Sequence, residues 1–241
     1  MTLRRSAALD AVLIVLTLTT GIVEAVSLLA LGHVFTALMT GNMLFLAFGL
    51  AGGAGLSVPA SSVSLAAFAV GNLAGALLET RVEARRRRWF VTGLVVEAAL
   101  LGGAGLAAGG IGGLDEPLSG HLYLVIALTA LAMGLRSVTT LRARVAELPT
   151  TLTTRALTSV ISGLAPAVGH DPARGAGAGS ALLRAAGVVA MFVGGLLGAW
   201  MLTAGHRPQL PLLVAAAVVL LCAVGFGLTP RDRTPAEPRV G

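Results

Sequence analysis

A chain of 241 residues that is 56% apolar and only 12% charged carries about half the charge of an ordinary soluble domain. Its apolar residues fall in long blocks, which excludes a water-soluble fold and leaves helices that cross a bilayer. The basic residues are all arginine and set a net charge of +6, but without the aromatic-interleaved basic surface of nucleic-acid binders, so the expected partner is the lipid bilayer and not a nucleic acid.

The amino terminus has the charged start and apolar run of a signal peptide. The run continues to residue 31, interrupted by Glu24, without a convincing cleavage site, so a retained first helix is expected over 11–31. Further spans are expected over 60–78, 89–110, 118–135, 185–204 and 210–228, each near the roughly 20 residues that match the hydrocarbon thickness. Two apolar stretches, 43–56 and 156–167, are too short to cross and read as re-entrant or interfacial helices. The tail, 229–241, is polar and proline-rich and reads as disordered. The fold class is therefore all-α and polytopic, with six transmembrane helices and two short ones.

Short cytoplasmic loops accumulate arginine. With six spans and both termini cytoplasmic, Arg136, Arg142, Arg144, Arg155 and the run at 85–88 fall inside with most of the others, and Arg207 falls outside. Eight spans separate the charge much less well. The run at 85–88 itself reads as an anchor beside anionic headgroups.

The chain also resembles itself at an offset of 113 residues, which sets Thr20-Gly21 on Met133-Gly134 and MTGN at 39–42 on LTTR at 152–155. After an insertion of ten residues, GNLAGALL at 71–78 meets GGLLGAWM at 194–201. Each half reads as long helix, Thr-rich break, short helix and two long helices. Three spans per half would invert the second repeat relative to the first, as in many transporters. The repeats are placed at 1–112 and 113–228. Within them the pairs Gly71 and Gly75, and Gly194 and Gly198, have the spacing for close helix packing.

The blocks TTGIVEAVSLLALGHVFTALMTGN at 19–42, AVGNLAGALL at 69–78 and AMGLRSVTTLRARVAELPTTLTTRAL at 132–157 resemble the YoaK-like bacterial membrane proteins, a family catalogued as a domain of unknown function. The resemblance covers nearly the whole chain. Similar proteins usually have Asp at the place of Glu24, GLQN where this chain has GLRS at 134–137, and a TGT-type motif near 151–157. The resemblance implies a polytopic inner-membrane protein and supplies no substrate or activity.

An ionised carboxylate in hydrocarbon must be paired, protonated or facing water. Glu24, deep in the first span, is thus the foremost candidate for a substrate path, set against a structural hydrogen bond between helices. Glu97, in the third span, invites the same reasoning. Thr36, Thr40, Gly41 and Asn42 break the apolar pattern, and residues 34–42, if extended, could carry the following short helix with its amino terminus toward the membrane centre. Thr153, Thr154 and Arg155 form the counterpart break in the second half. Two helix amino termini with an arginine would favour an anion. The other reading of both breaks is as interfacial loops capping surface helices. Asn72, beside Gly71, reads as a bridge between helices, with lining a path as the alternative. No catalytic residue, metal motif or cofactor signature is present, since the four histidines are scattered and no zinc, nucleophile-elbow or phosphate-loop pattern occurs. The expected activity is transport or conduction of a small solute or ion, with a membrane-embedded enzyme and a non-transporting interaction or sensor subunit as the competing classes. A homo-oligomer is compatible with each.

Overall fold

In hydrocarbon every backbone amide has to find its partner inside the protein, and a helix does this within one segment. The computed structural model describes residues 7–82, 88–111, 120–142 and 178–228. Within these the chain forms helices α1 (Ala7–Ala30), α2 (Met39–Leu50), α3 (Val58–Val82), α4 (Arg88–Ala107, continued by a 3-10 turn at Ala108–Gly110), α5 (Gly120–Arg142), α6 (Ala178–Thr203) and α7 (Gln209–Leu228). All but α2 are long and apolar enough to cross a membrane. The 24 residues of α1 span about 36 Å and the 12 of α2 only about 18 Å. The protein is a polytopic all-α membrane protein.

Most hydroxyl residues of α1 and α5 do not interrupt their helices, because they return the proton to a carbonyl one turn back. Thr17 bonds to the Leu13 carbonyl at 2.9 Å, Thr20 to Leu16 at 3.0 Å and Ser27 to Glu24 at 3.1 Å. In α5, Ser137 bonds to Met133, Thr139 to Leu135 and Thr140 to Arg136, each at 2.9 Å. This is why α5 runs to Arg142 and not to residue 135. The run SVTT, polar as text, is satisfied inside the helix and carries Arg136 into it.

Small residues set the helix pairs. A Cβ on Gly194 would run into the Leu18 carbonyl, and one on Gly198 would come within 2.8 Å of the Ile22 carbonyl, so α1 and α6 pack closely and in parallel. In the same way Gly71 faces the Leu131 carbonyl and Gly75 lies beside Leu135, which makes α3 and α5 a second close parallel pair. Gly21 on α1 and Gly134 on α5 provide the reciprocal contacts, against Met191 and Phe68. Helices α4 and α7 pack antiparallel, with Leu213 beside Gly105 and Val91 beside Gly227, and Phe90 meets Phe226 edge to face, centroids 5.1 Å apart. The central helix is α1, 67% of whose apolar window is buried, against 22% for α3 and 28% for α6, which turn apolar faces outward. Asn72 hydrogen-bonds the Phe68 carbonyl of its own helix at 3.0 Å, and among the described residues its side chain makes no hydrogen bond to another helix.

The stretch after α1 is shorter than the sequence suggests. Only residues 31–38 are non-helical, so Thr40, Gly41 and Asn42 form the first turn of α2 and are not an extended lead-in to it. The helix stops at Leu50, before residue 56, because Gly52 adopts a positive φ of 86° and the Gly53 amide bonds back to Phe48 at 2.8 Å, with Gly52 to Gly49 at 3.1 Å. Glycine takes this left-handed closing conformation at little steric cost. The same closure ends α6 at Gly205, where the His206 amide bonds to Met201 at 3.1 Å.

Candidate functional site

Beyond Ala30 the chain turns through Gly32 and His33, both at positive φ, and falls back along α1. Thr36 and Ala37 thereby return to the level of Glu24, about 9 Å by helical rise from the end of α1. One carboxylate oxygen of Glu24, Oε1, accepts the Thr36 amide at 3.0 Å, the Thr36 hydroxyl at 3.1 Å and the Ala37 amide at 2.5 Å. A carboxylate accepting several N–H groups is a strong clamp, and here it holds the end of the loop at depth.

Asn42 completes the hairpin. Its side chain copies a backbone pairing: Oδ1 accepts the Phe35 amide at 2.8 Å, while Nδ2 donates to the Phe35 carbonyl and, at 3.0 Å, to the Ser64 hydroxyl on α3. Ser64 itself donates to the Phe35 carbonyl at 2.6 Å. Gly41 leaves room for the Phe35 ring, which would otherwise strike a Cβ there, and that ring stacks on Phe45 with centroids 5.4 Å apart. Helix α2 therefore begins beside Ser64 and runs antiparallel to α3, to where Gly49 meets Val58. Thr36 and Asn42 are buried, and Thr40 is exposed.

A second polar centre lies further along α1. Arg136, on α5, is 2% exposed, and Glu97, on α4, is fully buried. Nε of Arg136 donates to Glu97 Oε1 at 2.7 Å, and Nη2 makes an ion pair with the same oxygen. Nη1 turns to α1, donating to the Thr20 hydroxyl at 2.7 Å and the Leu16 carbonyl at 2.8 Å. The arginine thus ties three helices together. Two carboxylate oxygens, Glu97 Oε2 and Glu24 Oε2, are buried without a hydrogen-bond partner among the described residues. Thr20 and Glu24 lie one turn apart on α1, with Ser27 beyond, so a buried polar stripe connects the two centres.

Glu24 and Thr36 come together, Asn42 joins them through the loop, and Glu97 lies apart with Arg136. Thr153, Thr154 and Arg155, and the short segment 156–167, lie outside the described residues. Arg136 does not occupy a cytoplasmic loop, where the arginine pattern sets it; it lies in α5 because the hydroxyl residues after it continue the helix. A basic residue two positions past Gly134 in an apolar run was the available signal, and the buried carboxylate at Glu97 was its natural partner. Among the described residues no group of three His, Cys, Asp or Glu side chains is placed to share a metal ion.

Six apolar helices around a core holding a buried Glu-Arg pair and a carboxylate-clamped hairpin define an integral membrane protein with an internal polar seam. The chain belongs to the family described as proteins of unknown function, DUF1275, whose model matches residues 12–225. Comparison with curated proteins and with solved structures gave no significant match.

Proposed function

We propose that this protein is a transporter or channel for a small solute or ion, built from two inverted repeats, 1–112 and 113–228, in a bacterial inner membrane with both termini cytoplasmic. The observation that carries the reading is the polar seam. Ionisable residues in membrane spans are costly and characteristically mark pathways, and here Arg136 from the second half meets Glu97, Thr20 and Leu16 from the first. Inverted-repeat transporters hold their sites at such an interface between halves.

The helix contacts support the repeat. An offset of 113 relates Leu18 to Leu131, Gly21 to Gly134 and Ile22 to Leu135; an offset of 123, after the insertion, relates Phe68 to Met191, Gly71 to Gly194 and Gly75 to Gly198. Each contact in the α1–α6 pair then has its counterpart in the α5–α3 pair: Gly194 on Leu18 beside Gly71 on Leu131, Gly198 on Ile22 beside Gly75 on Leu135, and Gly21 on Met191 beside Gly134 on Phe68. The directions agree with inversion. Helix α6 joins α7 through a short turn, α7 opposes α4, and α4 opposes α5, since Gly93 lies beside Thr139 and Gly110 beside His121; α1, parallel to α6, therefore opposes α5. The arginines of the connecting segments support cytoplasmic termini by the positive-inside rule.

The path would run along α1 from the Thr36 loop past Glu24 and Thr20 to Arg136 and Glu97, with Thr153, Thr154 and Arg155 closing it from the cytoplasmic side. Flux of a panel of anions, cations and neutral solutes into liposomes holding the purified protein tests the reading. Transport that Glu24→Gln alters in rate or pH dependence supports it. Absence of flux across the panel, or a confirmed flux indifferent to Glu24→Gln, overturns it.

A further inference from the structure

The Glu97–Arg136 pair is built asymmetrically. Two of the three guanidinium nitrogens converge on one carboxylate oxygen, the other oxygen is buried without a partner among the described residues, and the third nitrogen is anchored to α1 independently of Glu97. A pair serving only as a brace gains most when both oxygens are used side by side, since the bidentate arrangement recovers more of the desolvation cost. Here the arginine keeps its place on Thr20 and Leu16 whether or not Glu97 remains attached.

A guanidinium holds its charge in proteins, and a buried cation left without its counter-charge is strongly unfavourable. If Glu97 takes up a proton, Arg136 therefore requires another anion. Nη2 and Nε, the two nitrogens that Glu97 would release, form the planar fork that fits an oxyanion or seats a halide. We infer that Arg136 and Glu97 form a proton-coupled binding site for a small monovalent anion, which replaces the Glu97 carboxylate on Arg136 as Glu97 becomes neutral. One anion and one proton enter and nothing leaves, so the charge of the site stays at zero through the exchange, as its burial demands. This names a substrate class for the transport reading above and rests on it.

The charged and titratable groups around Glu97 are few. Arg136 faces it from α5 and the Cys222 thiol lies near it on α7. Helix α1 presents the Leu16 carbonyl and the Thr20 hydroxyl, with Glu24 one turn further, clamped to the loop. Helix α3 carries no ionisable side chain between positions 58 and 78.

The test uses the full chain in liposomes containing a pH-sensitive dye, with an inward sodium nitrate gradient as probe and chloride as a second. The expected result is internal acidification of one proton per nitrate taken up, at a rate that clamping the membrane potential leaves unchanged. Glu97→Gln should carry nitrate without protons and in response to potential. The double variant Glu97→Gln/Arg136→Gln removes both charges together and should carry neither while remaining folded by melting temperature. Should the single variant fail to fold, the wild-type protein in detergent still decides, because nitrate should draw about one proton per bound anion from weakly buffered solution. Transport of a cation or neutral solute, with nitrate and chloride refused, overturns the anion site and leaves the transport reading standing. Potential-driven, proton-free nitrate uptake by the wild type overturns the coupling. No flux of any solute overturns both readings.

Discussion

Replacing Glu24 separates two jobs that the residue combines. Its Oε1 satisfies the Thr36 amide, the Thr36 hydroxyl and the Ala37 amide, all buried. Alanine leaves three donors without an acceptor, each costing about 1–3 kcal/mol; water entering the space left behind relieves part of this, so Glu24→Ala should destabilise by at least about 3 kcal/mol. Glutamine keeps a carbonyl oxygen in nearly the same position. It exchanges charge-assisted bonds for neutral ones, at about 1 kcal/mol each, but no longer buries a charge, and the net loss should be only about 1–2 kcal/mol. Equilibrium unfolding in mixed micelles measures the difference, and hydrogen exchange at residues 31–38 localises it, with faster exchange at Thr36 and Ala37 in the alanine variant alone. Equal stability of the two variants, or unchanged exchange in the loop of Glu24→Ala, would refute the clamp.

Three further outcomes are expected. Arg136→Leu alone should cost about 3–5 kcal/mol by stranding Glu97, whereas Arg136→Leu/Glu97→Leu should be close to neutral, and paired unfolding curves check this. Gly194→Ala should cost about 1–3 kcal/mol, because its Cβ would meet the Leu18 carbonyl across the α1–α6 contact; Gly225→Ala, where a Cβ meets nothing within 4 Å, should be neutral or stabilise by up to about 1 kcal/mol. Cysteines introduced at positions 85–87 of a Cys222→Ala background should resist a membrane-impermeant thiol reagent in intact cells and react in inverted vesicles; the reverse pattern would reject the cytoplasmic orientation.

The number and approximate position of the spans were legible in the sequence, because hydrocarbon thickness acts on each segment separately and demands a run of apolar residues wherever it is crossed. The glycine pairs at 71 and 75, and at 194 and 198, were visible as spacing, and Glu24 as an expensive residue in a costly place. What those residues touch was not. The end of α5 depended on whether SVTT would face water or bond back along its own helix, a choice that local polarity leaves open and helix packing decides. Thr40 to Asn42 looked like a break because polar residues interrupt an apolar run; they became helix once Asn42 could pair with Phe35 and Ser64. Above all, the partners of the buried charges came from elements far apart in the chain. Glu97 and Arg136 are 39 residues apart, and Arg136 and Leu16 are 120 apart. Single-segment patterns can register the cost of burying a charge, but only the tertiary arrangement brings in the distant group that compensates for it.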